Sequence, residues 1–300
     1  MASLYTYQES NVRRTWLLFF VFFIVVIGIG WVFSQAYGDP SFIIFAVIFA
    51  VIYSSISYWS SAGIALALAR AVPIEKKDNP MLYNVVENLC IASGLPIPKI
   101  YITPEMQINA FATGRDAKHA AIAVTQGALA RLDKSELEGV LAHELSHIGN
   151  RDILVSTVAA VLAGIISLIA DIFLRSVFFG GMGGRNSRNN ESGELFFIFA
   201  IVLSILAPIG TMLIQFAISR RREALADASG VLLTRYPDGL ISALEKIAQD
   251  EVPMKSAKDS TAHLWIDNPF KGSKVSWWHK LFMTHPPIED RIRALREMRS

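Results

Sequence analysis

Four runs of apolar residues stand out from the mixed polar pattern of this chain. They cover Trp16–Phe33, Phe42–Trp59, Leu154–Leu174 and Leu195–Ile218, and the second fades through "SAGIALALA". The length of each run is similar to the roughly 20 residues that an α-helix needs to cross the hydrocarbon core of a bilayer. The pattern therefore predicts four transmembrane helices.

The first run has an alternative interpretation as a cleaved secretory signal. Arg13 and Arg14 precede it, and the small residues of "SQA" follow it. The run is long for the apolar part of a signal, however, and a second run follows at once. We therefore expect an uncleaved anchor.

Shorter patterns predict two soluble pieces, 70–152 and 219–300. The first contains a helix near 80–93, strands at "KIYIT", "INAFAT" and "AIAVT", and a helix from Lys134. The second begins with a helix that continues the fourth span, passes through an irregular stretch and ends in the short helix "IEDRIRALREM". The chain is thus expected to divide into 1–69, 70–152, 153–218 and 219–300.

The positions of lysine and arginine predict the orientation of the spans. The loop "SQAYGDP" between spans one and two has neither residue, whereas the other flanks are basic: Arg13, Arg14, Arg70, Lys76, Lys77, Arg220, Arg221 and Arg222. Basic flanks favour the cytoplasm. Three arginines in the loop 175–194 weaken this argument, but the pattern still places both termini and both soluble pieces on the cytoplasmic side.

Composition agrees with a membrane protein and excludes other classes. Hydrophobic residues make up 52% of the chain, and the net charge is only +2. No basic block with interleaved aromatic residues occurs, so nucleic acid is not an expected partner. The single cysteine, Cys90, lies in a helical apolar stripe, which favours a structural thiol and excludes an internal disulfide.

The stretch "HELSH" at 143–147 is a candidate metal site. Asp133 and Glu136 form a predicted capping box for its helix, on which His143 and His147 share one face. Two imidazoles one turn apart can chelate zinc, and Glu144 is then placed to take a proton from water. The alternative is that the histidines are ordinary surface residues. His119, His263 and His279 lie in polar or irregular contexts and are expected to be solvated.

A catalytic zinc needs a third protein ligand. A metzincin would have a histidine ten residues after the first, but that position is Ile153. In "SRRREALADASG", Glu223 and Asp227 share a helical face. From spacing alone, Glu223 fits a metal ligand and a solvated partner of the neighbouring arginines equally well. The predicted hairpin of spans three and four favours the ligand, because it returns the chain to the membrane face that it left.

Several strings occur in an order that resembles a known family. They are "INAFATG", "HELSHIGNRD", "REALAD" after a hydrophobic hairpin, and "FMTHPPIEDRIRAL". They resemble the HtpX family of membrane zinc metallopeptidases, relatives of the CAAX prenyl proteases, over nearly the whole chain. The resemblance implies an α+β membrane protein with four transmembrane helices and a cytoplasmic zincin-like (gluzincin) catalytic domain assembled from the two soluble pieces.

The resemblance also implies an activity and a place for it. Members of this family are ATP-independent zinc endopeptidases of the bacterial inner membrane, with the active site in the cytoplasm. They cut misfolded or damaged membrane proteins as part of envelope quality control and the stress response. The expected partners are therefore such substrates and the lipid bilayer, with one zinc ion per subunit.

Residue by residue, the family's zinc ligands match His143, His147 and Glu223. Its general base matches Glu144, and the carboxylate that orients a ligand histidine matches Asp227. These assignments agree with the spacing argument.

The resemblance extends to substrate binding. A strand edge that would hold the peptide corresponds to Asn109, Ala110, Phe111, Ala112 and Thr113. In the "HPP…R" segment, either His285 or Arg291 could stabilise the oxyanion of the tetrahedral intermediate. His285 could instead simply precede the terminal helix, and Arg291 could form a salt bridge to the catalytic helix.

Three other functions are weighed against a cytoplasmic-face endopeptidase. An intramembrane protease would carry HExxH within a span, but Lys134, Glu136 and Glu138 on the motif helix favour water or an interface. A zinc-stabilised scaffold is disfavoured because nothing needed for chemistry is missing. A transporter is disfavoured because the spans hold few ionisable groups beyond Asp171.

Overall fold

A computed structural model describes residues 4–180, 220–256, 258, 260–271 and 286–298. The chain is a mixed helical and sheet protein with long apolar helices, as expected. The fourth predicted span, most of the loop before it, His279 and His285 lie outside the described residues.

Nine α-helices are described within those ranges. They are α1 (Leu4–Tyr37), α2 (Ser41–Leu68), α3 (Pro80–Ser93), α4 (Gln126–Arg131), α5 (Lys134–Gly149), α6 (Asp152–Gly180), α7 (Arg220–Thr234), α8 (Pro237–Gln249) and α9 (Ile288–Met298). Short 3-10 helices cover Ala117–His119 and Ala262–Leu264.

A four-stranded sheet supports α5, the helix that carries "HELSH". Its strands are β1 (Val72–Pro73), β2 (Lys99–Thr103), β3 (Ala110–Gly114) and β4 (Ala120–Thr125), in the order β1-β2-β4-β3. β2 and β4 are parallel, whereas the two outer pairs are antiparallel. β3 is therefore an edge strand, and α5 packs against it.

Local sequence signals account for the helix ends. The Asp133 side chain accepts a hydrogen bond from the Glu136 backbone N–H at 2.9 Å, and the Glu136 carboxylate accepts one from the Asp133 N–H at 2.8 Å. This reciprocal capping box fixes the start of α5 as predicted. On α3, Asn79 caps the first turn and Gly94 ends the helix with φ +70°, a conformation that glycine adopts without strain.

In the part of the chain that the structure describes, three helices are long and apolar enough to cross a membrane: Glu9–Gln35, Ser41–Leu68 and Asp152–Ile169. They correspond to the first three predicted spans, although α2 runs nine residues beyond Trp59. About 67% of the apolar window of α6 is buried inside the protein, compared with 11% for α2. The start of α6 is therefore surrounded by protein, whereas most of the apolar window of α2 is exposed.

The second soluble piece differs from the sequence expectation. We predicted one helix continuing from the fourth span, but the helix ends at Thr234 and a new one begins at Pro237. Arg235 has φ +54°, and a proline cannot donate the backbone hydrogen bond that a continuous helix needs. The break lets α8 turn back and pack its apolar face on α5.

Candidate metal centre

The candidate site forms where α7 crosses α5. A Cβ placed on Gly230 would lie only 3.0 Å from the backbone N of His143. Any larger residue there would push the two helices apart. This close approach allows Glu223, two turns earlier on α7, to reach the two histidines of α5.

His143, His147 and Glu223 bring one potential ligand atom each to within 4.8 Å of one another. The two Nε2 atoms are 3.2 Å apart. The Glu223 carboxylate lies 3.7 Å from His143 Nε2 and 3.6 Å from His147 Nε2. All three side chains are largely buried. Such a cluster could hold a metal ion, and it joins residues from both soluble pieces.

Asp227 and Arg291 support His143 from behind. The Nδ1 atom of His143 lies 2.8 Å from Asp227 Oδ1. Arg291, on α9, donates to both carboxylate oxygens of Asp227 at 2.9 and 2.7 Å. Since Nδ1 donates to Asp227, the lone pair of His143 lies on Nε2, which faces Glu223.

This buried pair is strongly ionised. Burial raises the pKa of the Asp227 carboxyl, but the Arg291 guanidinium and His143 outweigh burial and hold that pKa far below its ordinary value. Burial lowers the pKa of Arg291, and Asp227 more than reverses that effect. Asp227 is thus an anion placed to accept a hydrogen bond from the Nδ1 of His143.

His147 has a different support, which sequence reasoning did not identify. Its Nδ1 atom lies 3.0 Å from Asp152 Oδ2, on the first turn of α6. Asp152 is 3% exposed. It ends the string "HELSHIGNRD", so its spacing from His147 was a visible signal, but a turn between two helices does not reveal by spacing which side chains meet.

The acidic surroundings favour a cation at His147. Burial lowers the pKa of the His147 imidazole, but the carboxylates of Glu223, Asp152 and Glu144 outweigh it and raise that pKa to about 9. A metal ion would replace the proton as the positive charge in this position.

Glu144 lines the same small cavity as the three candidate ligands. The cavity has a volume of about 30 Å³, which is enough to hold a water molecule. Glu144 is 3% exposed. Its carboxylate is therefore confined beside the histidines.

The predicted substrate strand is buried along its whole length. The backbone N–H of Ile266 donates to the carbonyl of Ala110 at 3.0 Å, and Trp265 packs edge-on against Phe111. The Asn109 side chain donates to the carbonyl of Asp267 at 3.0 Å. The segment 262–267 thus covers the outer edge of β3.

Two other predicted histidine positions can be compared with the structure. His119 is half-exposed and paired with Asp116, as expected for a solvated residue. The expectation for His263 is wrong: it is 6% exposed, lines the cavity, and its Nε2 lies 3.0 Å from the carbonyl of Ser156. The irregular stretch that holds it folds onto α6 instead of facing water.

A buried HExxH helix met by a glutamate from a second helix, beside three membrane-length helices, is the architecture of a membrane metallopeptidase. The profile of Peptidase family M48 matches residues 76–299. The chain belongs to peptidase family M48 and, within it, to the HtpX proteases.

Curated relatives carry this assignment over the full length of the chain. A Protease HtpX homolog of Caldanaerobacter subterraneus subsp. tengcongensis is 46% identical over 298 residues, which are 99% of this chain and 98% of that protein. A Protease HtpX homolog of Tropheryma whipplei is also 46% identical, over 98% of both chains. The crystal structure of S. mikatae Ste24p is similar with a TM-score of 0.48 and 18% identity, covering 90% of this chain and 62% of that one.

Proposed function

We propose that this membrane metalloprotease is a zinc endopeptidase whose metal is held by His143, His147 and Glu223. The observation that carries the proposal is the meeting of these three side chains beside Glu144 in one buried cavity. The His-His-Glu set is the ligand set of gluzincin-type catalytic sites.

The spacing of the ligand atoms fits a tetrahedral zinc. Ligand bonds of about 2.05 Å at tetrahedral angles put neighbouring ligand atoms about 3.3 Å apart. The two Nε2 atoms are 3.2 Å apart, and the carboxylate oxygens lie at 3.6 and 3.7 Å from them. Imidazole and carboxylate together favour zinc over magnesium or calcium, which prefer oxygen ligands alone.

Glu144 is proposed as the general base and acid. Its carboxylate lines the cavity, where it can take a proton from an attacking water and later give it to the leaving amine. Zinc, when bound, supplies Lewis acidity that activates water and polarises the scissile carbonyl.

Arg291 is proposed to position His143 through Asp227. Its guanidinium lies on the Nδ1 side of the ring, 3.4 Å from that atom, whereas the ligand atoms meet at Nε2. This placement argues against the alternative in which Arg291 contacts the oxyanion. His285 stays a candidate for that role from the sequence.

The strand from Asn109 to Thr113 is proposed to bind substrate as an added strand, which reads backbone and tolerates many sequences. Because Ile266 holds the carbonyl of Ala110 and the strand is buried, a peptide would have to displace the segment 262–267.

We propose misfolded or damaged membrane proteins as substrates, cut at the cytoplasmic face of the bacterial inner membrane. The support is the resemblance to the HtpX family, the basic flanks of the spans, and a site that lies one turn from the start of α6. Both termini and the two soluble pieces are proposed to be cytoplasmic, with a fourth span completing the hairpin.

The test combines metal analysis with a protease assay on the full chain in detergent. Wild type should contain about one zinc and cleave an unfolded soluble protein, and a chelator should abolish cleavage reversibly. Glu144→Gln should keep zinc but lose at least about 100-fold in kcat. Glu223→Ala should lose both zinc and cleavage, because two imidazoles alone hold the ion weakly.

Glu138→Gln is the matched control, since Glu138 lies on the same helix outside the cavity. It should behave as wild type. Full activity of Glu144→Gln, or unchanged zinc in Glu223→Ala, would contradict the assignment. Cleavage only within membrane-spanning substrates would instead favour an intramembrane protease.

A further inference from the structure

A polar side chain is buried at the beginning of the first membrane helix. Asn11 is 3% exposed, on a helix whose residues from Trp16 to Phe33 are all apolar. Its Nδ2 donates to the carbonyl of Asn150 at 3.1 Å and to Asp152 Oδ1 at 2.7 Å. Its Oδ1 accepts from Arg222 Nη1 at 3.1 Å. A buried amide is retained only where its partners compensate the loss of water.

These partners fix the orientation of the amide. A flipped Asn11 would set its oxygen against a carboxylate and a carbonyl, and its NH2 group against a guanidinium. Both hydrogens and the oxygen are used only in the observed orientation. The group therefore behaves as a rigid connector between α1, α6 and α7.

The connector acts at the turn that joins the catalytic helix to α6. It contacts both sides of that turn, at Asn150 and at Asp152. Between them Arg151 has φ +59°, a left-handed conformation that residues other than glycine disfavour. The turn therefore depends on outside contacts to hold its shape.

That turn carries the carboxylate that supports His147. Asp152 uses Oδ2 for His147 and Oδ1 for Asn11, and Arg222 Nε lies 3.5 Å from Oδ1. Arg222 is also the immediate neighbour of Glu223 on α7. The polar cluster of Asn11, Asp152 and Arg222 is thus linked to two candidate metal ligands. Asp152 contacts His147, and Arg222 precedes Glu223 on α7.

From this geometry we infer that Asn11, on the first membrane helix, is a positioning residue for the metal centre: it holds the Asp152 carboxylate that orients His147. The inference rests on the proposed function. Outer partners of metal ligands change affinity by about 10- to 100-fold when lost. Asn11 is one contact further from the metal, so about tenfold is expected.

The experiment measures zinc affinity of the full chain in detergent by competition with a chromogenic chelator. Asn11→Leu keeps the size but donates no hydrogen bond, and it should bind zinc about tenfold more weakly and lower kcat more than it changes KM. Asn11→Asp keeps the size of the side chain and the contact with Arg222. It should also weaken zinc binding, and it tests the inference if Asn11→Leu does not fold.

Thr15→Val is the matched control. Thr15 is equally buried one turn later on α1, but among the described residues its hydroxyl bonds to the backbone of its own helix. Zinc affinity should stay as in wild type.

A double-mutant cycle separates positioning from simple anchoring of α1. In an Asp152→Asn background, Asn11→Leu should weaken zinc much less than in wild type, because the connection to His147 is already altered. Unchanged zinc affinity in Asn11→Leu and Asn11→Asp, with wild type binding one zinc, would overturn this inference alone. If wild type binds no zinc, the proposed function fails and the inference fails with it.

Discussion

His143 and His147 lie one turn apart on α5, yet different parts of the chain hold their second ring nitrogens. His143 is held by Asp227 and Arg291, from α7 and α9. His147 is held by Asp152, whose other oxygen bonds to α1. One histidine therefore depends on the C-terminal helices α7 and α9 and the other on the long apolar helices α1 and α6, so the two supports come from different regions of the chain.

The largest effects on unfolding free energy and zinc affinity should come from removing the support of His143. Asp227→Asn leaves the buried Arg291 guanidinium without its anion. Breaking a buried ion pair costs about 3–5 kcal/mol of unfolding free energy, and zinc affinity should fall by about 10- to 100-fold. Denaturant unfolding and zinc competition measure the two effects. An unchanged unfolding midpoint would show that Arg291 has another anion.

A smaller effect is expected on the His147 side. Asp152→Asn keeps an acceptor for His147 but removes the charge, so zinc affinity should drop by about tenfold. The unfolding free energy should change less than in Asp227→Asn, because Arg222 also interacts with Glu223. Equal destabilisation by the two variants would show that the two supports are equivalent.

How far the sequence predicts this site depends on distance along the chain. The spacing of His143, Glu144 and His147 on one capped helix could be predicted, because helical periodicity is local. Asp227 followed from its spacing to Glu223. Asn11 and Asp152 are 141 residues apart, and one asparagine within the polar stretch before an apolar run gives no sign of its partner.

Local signals also explain which helices and strands could be predicted from the sequence. The predicted α3, α5, α9, β2 and β4 match within about one residue, because their caps and periodicity are strong. The break before Pro237 and the burial of His263 were missed. The break had a local signal, because a proline cannot continue a helix. The burial of His263 had none, because it depends on the packing of the segment 262–267 on β3 and α6.

The pH dependence should report the His147 side of the site. Zinc must displace the proton of His147, and the pKa of that imidazole is raised to about 9. Apparent zinc affinity should therefore rise about tenfold per pH unit between about 6.5 and 8.5 and level off above about 9. Calorimetric titration at several pH values measures this slope. In Asp152→Asn the levelling should occur at lower pH, and an unmoved profile would exclude Asp152 as a cause.

Zinc affinity should rise with pH, but the stability of the metal-free protein should fall. A raised histidine pKa contributes stability that is fully present below the ordinary value of 6.5 and is lost as the pH rises through about 9. The zinc-free chain should thus unfold more easily at pH 9 than at pH 6.5, unlike the zinc-bound chain.

The smallest effect is expected at a charge pair outside both supports. Arg296 on α9 bonds to Glu245 on α8 at 2.7 Å, with both side chains exposed. Arg296→Ala should change the unfolding free energy by less than about 1 kcal/mol and leave zinc affinity unchanged. A large loss of zinc affinity would mean that the Arg296–Glu245 ion pair, and not Arg291, fixes the position of α9.

The separation of the supports also sets the order in which the site is completed during synthesis. His143 and Arg291 are 148 residues apart, so a ribosome adding about 5–20 residues per second makes the second roughly 7–30 s after the first. Asp152, Glu223 and Asp227 are made within that interval, and Arg291 comes last. Until then the new chain carries the HExxH helix without the guanidinium that holds Asp227 beside His143.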